Sequence, residues 1–118
     1  DQNLEFIETI TDMNLFYNQI DILTLTSKFG EGFSNSISEA LACNKPCVVS
    51  NVGESSKIVG SPFFVFEKEN YLRLAKIWEN VININSFESR KRIVSKYSID
   101  EMVVKTYNIF ESIVRNAN

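Results

Sequence analysis

Apolar positions along this chain fall into two kinds of run, separated by polar turns. Ile22–Thr26, Cys47–Ser50 and Phe63–Phe66 are short, near-continuous apolar stretches, the pattern of parallel strands covered on both faces. Leu4–Ile10, with Phe6, Ile7 and Ile10 apolar, reads as a strand at the start. Elsewhere apolar residues recur at helical spacing. Thr11 or Asp12 can cap a helix whose Met13, Phe16, Tyr17 and Ile20 share a face. Ile37, Ala40 and Leu41 mark a second helix, stopped by Asn44-Lys45-Pro46, and Glu54–Val59 a short third one closed by Gly60. A longer helix runs from Asn70 to about Asn83, with Tyr71, Leu74, Ala75, Trp78, Val81 and Ile82 along its stripe. Ser86 is placed to cap a polar helix through Lys96, supported by a Glu88–Arg92 pair. Ser98-x-x-Glu101 is a capping box for the last helix, whose Met102, Val103, Thr106, Tyr107, Phe110, Ile113 and Val114 predict a buried stripe.

The order is strand–helix alternation followed by helices. Such alternation predicts an α/β domain with a parallel sheet, helices on both faces and right-handed crossovers. Ligands of such sheets sit outside the carboxyl ends of the strands. The Glu31–Asn35 loop follows the Ile22–Thr26 strand and belongs to that edge. Phe63–Phe66 and Trp78 read as core.

Composition narrows the classes. With 118 residues, 44% apolar and 23% charged, the chain suits one globular domain, residues 1–118. A net charge of −3 argues against nucleic acid as a partner, since phosphates call for a basic face. Cys43 and Cys47 are spaced C-x3-C, neither a redox pair nor a zinc framework, and there is no histidine to complete a metal site. They read as two buried unpaired thiols in a reducing compartment. No apolar run reaches the roughly 20 residues that span a bilayer.

The chemistry concentrates between Phe29 and Gly53. Gly30-Glu31-Gly32 leads through Phe33-Ser34-Asn35-Ser36 into the Ile37–Leu41 helix and then the Cys47 strand. A loop feeding a helix N-terminus offers unpaired backbone N–H groups and the positive end of the helix dipole, which suits a phosphate. Two glutamates bracket it. By local pattern Ser36-x-x-Glu39 is itself a capping box, with Glu39 turned back to the Ser36 N–H, and Glu31 is a solvated loop carboxylate. Lys28 is the nearest cation and reads as solvent-facing, as do Arg90, Lys91 and Arg92.

Glu31, seven intervening residues and Glu39, set in EGFSNSISEALACNKPCVVSNVG, resemble the E-x7-E signature of GT-B retaining glycosyltransferases of the family 4 type, the glycosyl transferases group 1. The frame is in register on both sides. Asp21 to Ser27 resembles the strand before the loop, Glu39-Ala40-Leu41-Ala42-Cys43 the helix, and Asn51-Val52-Gly53 the following glycine turn. The resemblance implies a Rossmann-like sheet, the later part of a C-terminal donor domain. It implies transfer of a sugar from a nucleotide diphosphate sugar, with no resident cofactor or metal. Glu31 would lie beside the transferred sugar as the catalytic carboxylate. Gly32, Phe33, Ser34 and Asn35 would supply backbone donors to sugar and diphosphate, Glu39 would bind ribose, and Ser27 would touch the nucleotide. A glycan, lipid or other acceptor would be bound by an N-terminal domain outside this sequence. The setting would be cytoplasmic, with the inner membrane face open to the full enzyme.

Some positions depart from the family pattern. Asn44 stands where glycine is usual, and asparagine tolerates the left-handed conformation a helix stop needs. Glu54 replaces a second glycine and would narrow the donor's approach. The family's upstream phosphate-binding Arg and Lys have no counterpart in this stretch. Two other readings stay open: a GT-B nucleotide-sugar epimerase, and a non-catalytic Rossmann-like module in which both glutamates only cap and solubilise.

Overall fold

A computed structural model of the chain describes residues 3–30 and 32–116. Three strands, β1 (Leu23–Leu25), β2 (Cys47–Ser50) and β3 (Val65–Phe66), form a parallel sheet in the order β1-β2-β3. Leu23, Thr24 and Leu25 pair with Cys47, Val48 and Val49, and Val49 and Ser50 with Val65 and Phe66. The expected α/β fold with helices on both faces is therefore present. Cys47 and Val49 point to one face, where α1 (Met13–Gln19), α2 (Asn35–Ala42), α3 (Ser55–Val59) and α5 (Arg90–Tyr97) contribute Tyr17, Ile37, Ala40, Leu41, Ile58, Val59 and Ile93. Val48 and Phe66 point to the other, against Leu74, Ile77 and Val81 of α4 (Tyr71–Val81).

Local chemistry explains the boundaries. Asp12 caps α1, its Oδ1 accepting from Leu15 N at 2.9 Å. Asn44, at φ 56°, makes the left-handed stop after α2. Its Oδ1 also accepts from Ser89 N and Arg90 N at 2.9 and 2.8 Å, so the residue that ends α2 caps α5. Gly60 ends α3 at φ 74°. A Cβ there would lie 2.6 Å from the Arg92 guanidinium, which reaches across to the carbonyls of Ile58 and Val59. Arg92 thereby closes the end of α3 rather than facing solvent.

Several expectations need correction. Leu4–Ile10 forms no strand: Leu4, Phe6 and Ile7 are exposed. Phe6 and Ile7 are adjacent, so a strand would send them to opposite faces, and no described element covers either. Phe63–Phe66 is a strand only at its end. Pro62 opens a 3-10 turn, Pro62–Phe64, capped by Ser61, and Phe63 is left exposed. The buried stripe of α4 is Leu74, Ile77 and Val81, rotated away from Tyr71 and Ile82, which face solvent. Trp78 is not core: it lies against the edge of β1 with its Nε1 donating to Thr24 Oγ1 at 2.9 Å. α5 starts at Arg90, so Glu88 lies outside it and cannot pair with Arg92 along a helix. Cys43 is half-buried rather than buried, while Cys47 is enclosed and burial pushes its thiol up to about 12 despite Arg92 nearby.

The largest correction concerns α6 (Ile99–Asn116), which buries none of its residues. Ser98 does cap it, accepting from Glu101 N at 3.3 Å, but the stripe from Met102 to Val114 is open. The chain extends 64 Å by 30 Å by 30 Å, with a radius of gyration of 17.0 Å. A compact chain of this length would be near 13–14 Å, so α6 projects from the packed body.

Candidate donor site at the carboxyl edge

Three loops leave the carboxyl ends of the strands. The first runs from Thr26 to Ser34 between β1 and α2, the second from Asn51 to Glu54 between β2 and α3, and the third from Glu67 to Asn70 between β3 and α4. They are tied together. Ser50 Oγ donates to the Ser27 carbonyl at 2.7 Å, Asn51 Nδ2 donates to Glu67 Oε1 at 3.2 Å, and Lys28 Nζ pairs with Glu69 Oε1 at 2.6 Å. Each partner in the last pair holds the other charged, raising the Lys28 ammonium and lowering the Glu69 carboxyl. Both are widely exposed, so the pair guides the loops more than it stabilises them. Lys28 faces solvent, as its sequence suggests, with Glu69 as its partner there.

The first loop opens onto α2. Gly30 sits at φ 80°, a left-handed turn that favours glycine. A Cβ on Gly32 would meet nothing within 4 Å, so the backbone there is open to an approaching group. Ser34 is the N-cap, but its side chain makes no capping bond, and Ser38 Oγ turns back to the Ser34 and Asn35 carbonyls. Phe33 turns the other way, its ring 5.2 Å from Tyr97. It lines a groove of about 470 Å³ with Tyr97, Lys96, Met102, Lys105 and Ile109. Only its backbone faces the loop chemistry.

Glu39 departs from the local reading. With Ser34 as N-cap it is the fifth residue of α2, too deep to close a box on Ser36. Its Oε2 instead accepts from the Tyr17 hydroxyl at 3.0 Å, across 22 residues of sequence. Tyr17 is 2% exposed. Burial, then the Glu39 hydrogen bond and charge, push the phenol up to about 12, with Ser36 acting in the opposite sense. The phenol is thus held protonated, as a donor.

Residues 1–83, from the start through α4, match the family described as Glycosyl transferases group 1. The chain belongs to the group 1 glycosyl transferases. It is a glycosyltransferase domain of GT-B type. No curated protein and no solved structure gives a significant match. The family match covers the sheet and its three carboxyl-edge loops and stops before α5 and α6.

In this group 1 domain, Gly32, Ser34, Asn35 and Glu39 fall on one loop–helix junction at the carboxyl edge, with Ser27 at its root. Glu31 lies outside the described residues. Sequence reasoning passed over Tyr17 and Asn44 as structural partners of the site. The signals were a tyrosine on an apolar face, whose hydroxyl needs a partner when buried, and an asparagine at a helix stop with a free side-chain oxygen. Among the described residues no helix is long and apolar enough to cross a membrane.

Proposed function

We propose that this domain binds the donor of a retaining glycosyltransferase of the family 4 type, a nucleotide diphosphate sugar. The observation that carries the reading is Glu39: a carboxylate one turn inside the helix that leaves the carboxyl edge, engaged by Tyr17 rather than spent on a cap. The diphosphate meets the first-turn N–H groups of α2, which Ser34 leaves uncapped. Glu39 accepts from the ribose hydroxyls, Ser27 borders the nucleotide, and the Gly32–Asn35 backbone donates to sugar and phosphate. Glu31 stands by the anomeric carbon, where an anion lowers the energy of an oxocarbenium-like transition state. In the transfer the bond from anomeric carbon to phosphate oxygen breaks. The acceptor oxygen bonds to the same face of the sugar, its proton passes to the leaving diphosphate, and nucleoside diphosphate departs.

On this reading residues 1–118 form one donor-binding domain of a longer cytoplasmic hexosyltransferase, using no metal, and the stretch alone transfers little sugar. Its acceptor, a glycan, a lipid or another molecule, is held by another domain. The test is a pair of variants in the full-length protein. Glu39→Gln should weaken nucleoside diphosphate binding by roughly 1.5–3 kcal/mol, or about 10- to 100-fold. Glu31→Gln should lower turnover and leave nucleotide affinity near wild type. Unchanged affinity in the first variant with unchanged turnover in the second would overturn the assignment. Donor isomerised without acceptor would point to an epimerase instead.

A further inference from the structure

Glu39 is an exposed side chain on a helix surface, and an exposed glutamate samples several rotamers. Holding it in one of them costs conformational entropy that a ligand would otherwise have to supply on binding. Tyr17 removes part of that cost in advance. Its ring is enclosed in the core cluster with Ile37 and Leu41, two residues of the helix that carries Glu39. Phe16 stacks edge-on against it at 5.5 Å. The helix beneath it is fixed by the Asp12 cap. The hydroxyl is therefore held in place by packing on both sides, and it meets Glu39 Oε2 at the border between core and solvent. That leaves Oε1 as the oxygen available to a ligand.

We infer that Tyr17 is a positioning residue for donor binding: its hydroxyl fixes one oxygen of Glu39 so that the carboxylate is preset for the ribose hydroxyls. The inference rests on the proposed role of Glu39 as the ribose ligand. A tyrosine at this place would otherwise be a core residue with a satisfied hydroxyl, and the two roles separate experimentally. Tyr17→Phe keeps the packed ring and deletes only the donor.

The test is a double-variant cycle in the full-length protein, with nucleoside diphosphate binding read by calorimetry and the unfolding midpoint read on the same samples. Tyr17→Phe alone should weaken nucleotide binding about three- to tenfold, less than the roughly tenfold or more of a direct hydrogen bond to a charged group, because Tyr17 acts on the nucleotide only through Glu39. In steady-state kinetics the loss should appear in the donor KM, with kcat kept, because Tyr17 touches no reacting atom. In a Glu39→Gln background the same change should alter affinity by less than about twofold, since contacting residues are non-additive. A Tyr17→Phe protein with a lowered midpoint and wild-type affinity overturns the inference and leaves a structural tyrosine. Weakened binding in Glu39→Gln with wild-type binding in Tyr17→Phe overturns this inference alone. Wild-type binding in Glu39→Gln overturns the ribose reading and this inference together. Should Tyr17→Phe fail to fold, Tyr17→Met fills the space flexibly without an N–H or O–H donor, and wild-type affinity in it would equally count against the inference.

Discussion

Helices α2 and α6 are both amphipathic by sequence, yet Ile37, Ala40 and Leu41 of α2 are wholly buried while Phe110, Ile113 and Val114 of α6 are 64, 58 and 62% exposed. The difference lies in how each helix is tethered. α2 leaves β1 and returns to β2, and the parallel pairing of those strands presses its stripe onto Cys47 and Val49. α6 follows another helix, and among the described residues no strand draws it back to the sheet. Apolar periodicity names the face a helix would bury. It does not name the partner, and the chain's connections must supply one.

Stability should divide along the same line. Leu41→Ala should cost about 2–5 kcal/mol, the range for removing a buried leucine side chain, with a cavity left behind α2. Phe110→Ala should fall within about 0.5 kcal/mol of wild type, as exposed substitutions do. Denaturant unfolding followed by circular dichroism measures both. A Phe110 loss as large as that at Leu41 would mean that α6 is packed.

A smaller effect sharpens the tethering argument at the end of α2. Asn44→Gly keeps the left-handed stop but removes the acceptor for Ser89 N and Arg90 N, and should cost about 1 kcal/mol, the scale of a lost helix cap. Asn44→Ala loses the same cap and adds roughly 1–2 kcal/mol of left-handed strain. Equal stability of wild type and Asn44→Gly in the same unfolding assay would remove the link between α2 and α5.

How much could be read in advance follows from the range of the forces. The strand cores, the Asn44 and Gly60 stops, the Asp12 and Ser98 caps and the loop–helix junction were legible because each depends on residues a few positions apart. The Glu39 partner was not, because Tyr17 lies 22 residues upstream and only the folded contact of α1 with α2 brings them together. The late start of α5 was hidden for the same reason: its cap is Asn44, 46 residues before Arg90. Leu4–Ile10 and the α6 stripe show the converse failure, a correct apolar pattern with no described surface to meet it.

A last effect concerns pH within the packed half. The Tyr17 phenol is raised from 10.0 to about 12 in the fold, so folding favours its protonated form. That stability is fully present below pH 10 and is lost as pH climbs through about 12. Unfolding free energy should therefore fall more steeply over this interval in wild type than in Tyr17→Phe. Parallel slopes for the two proteins would indicate that the phenol is no more protected in the fold than in the unfolded chain.

The central claim, that the nucleotide seats at the start of α2, is tested most directly by amide chemical-shift mapping of the isotopically labelled full-length protein during titration with a nucleoside diphosphate. The account predicts saturable shifts at Gly32 and across Ser34–Glu39, with smaller ones at Ser27 and little change along α6. Saturable shifts confined to the Phe33–Tyr97 groove and α6, or no saturable shift at all, would contradict it.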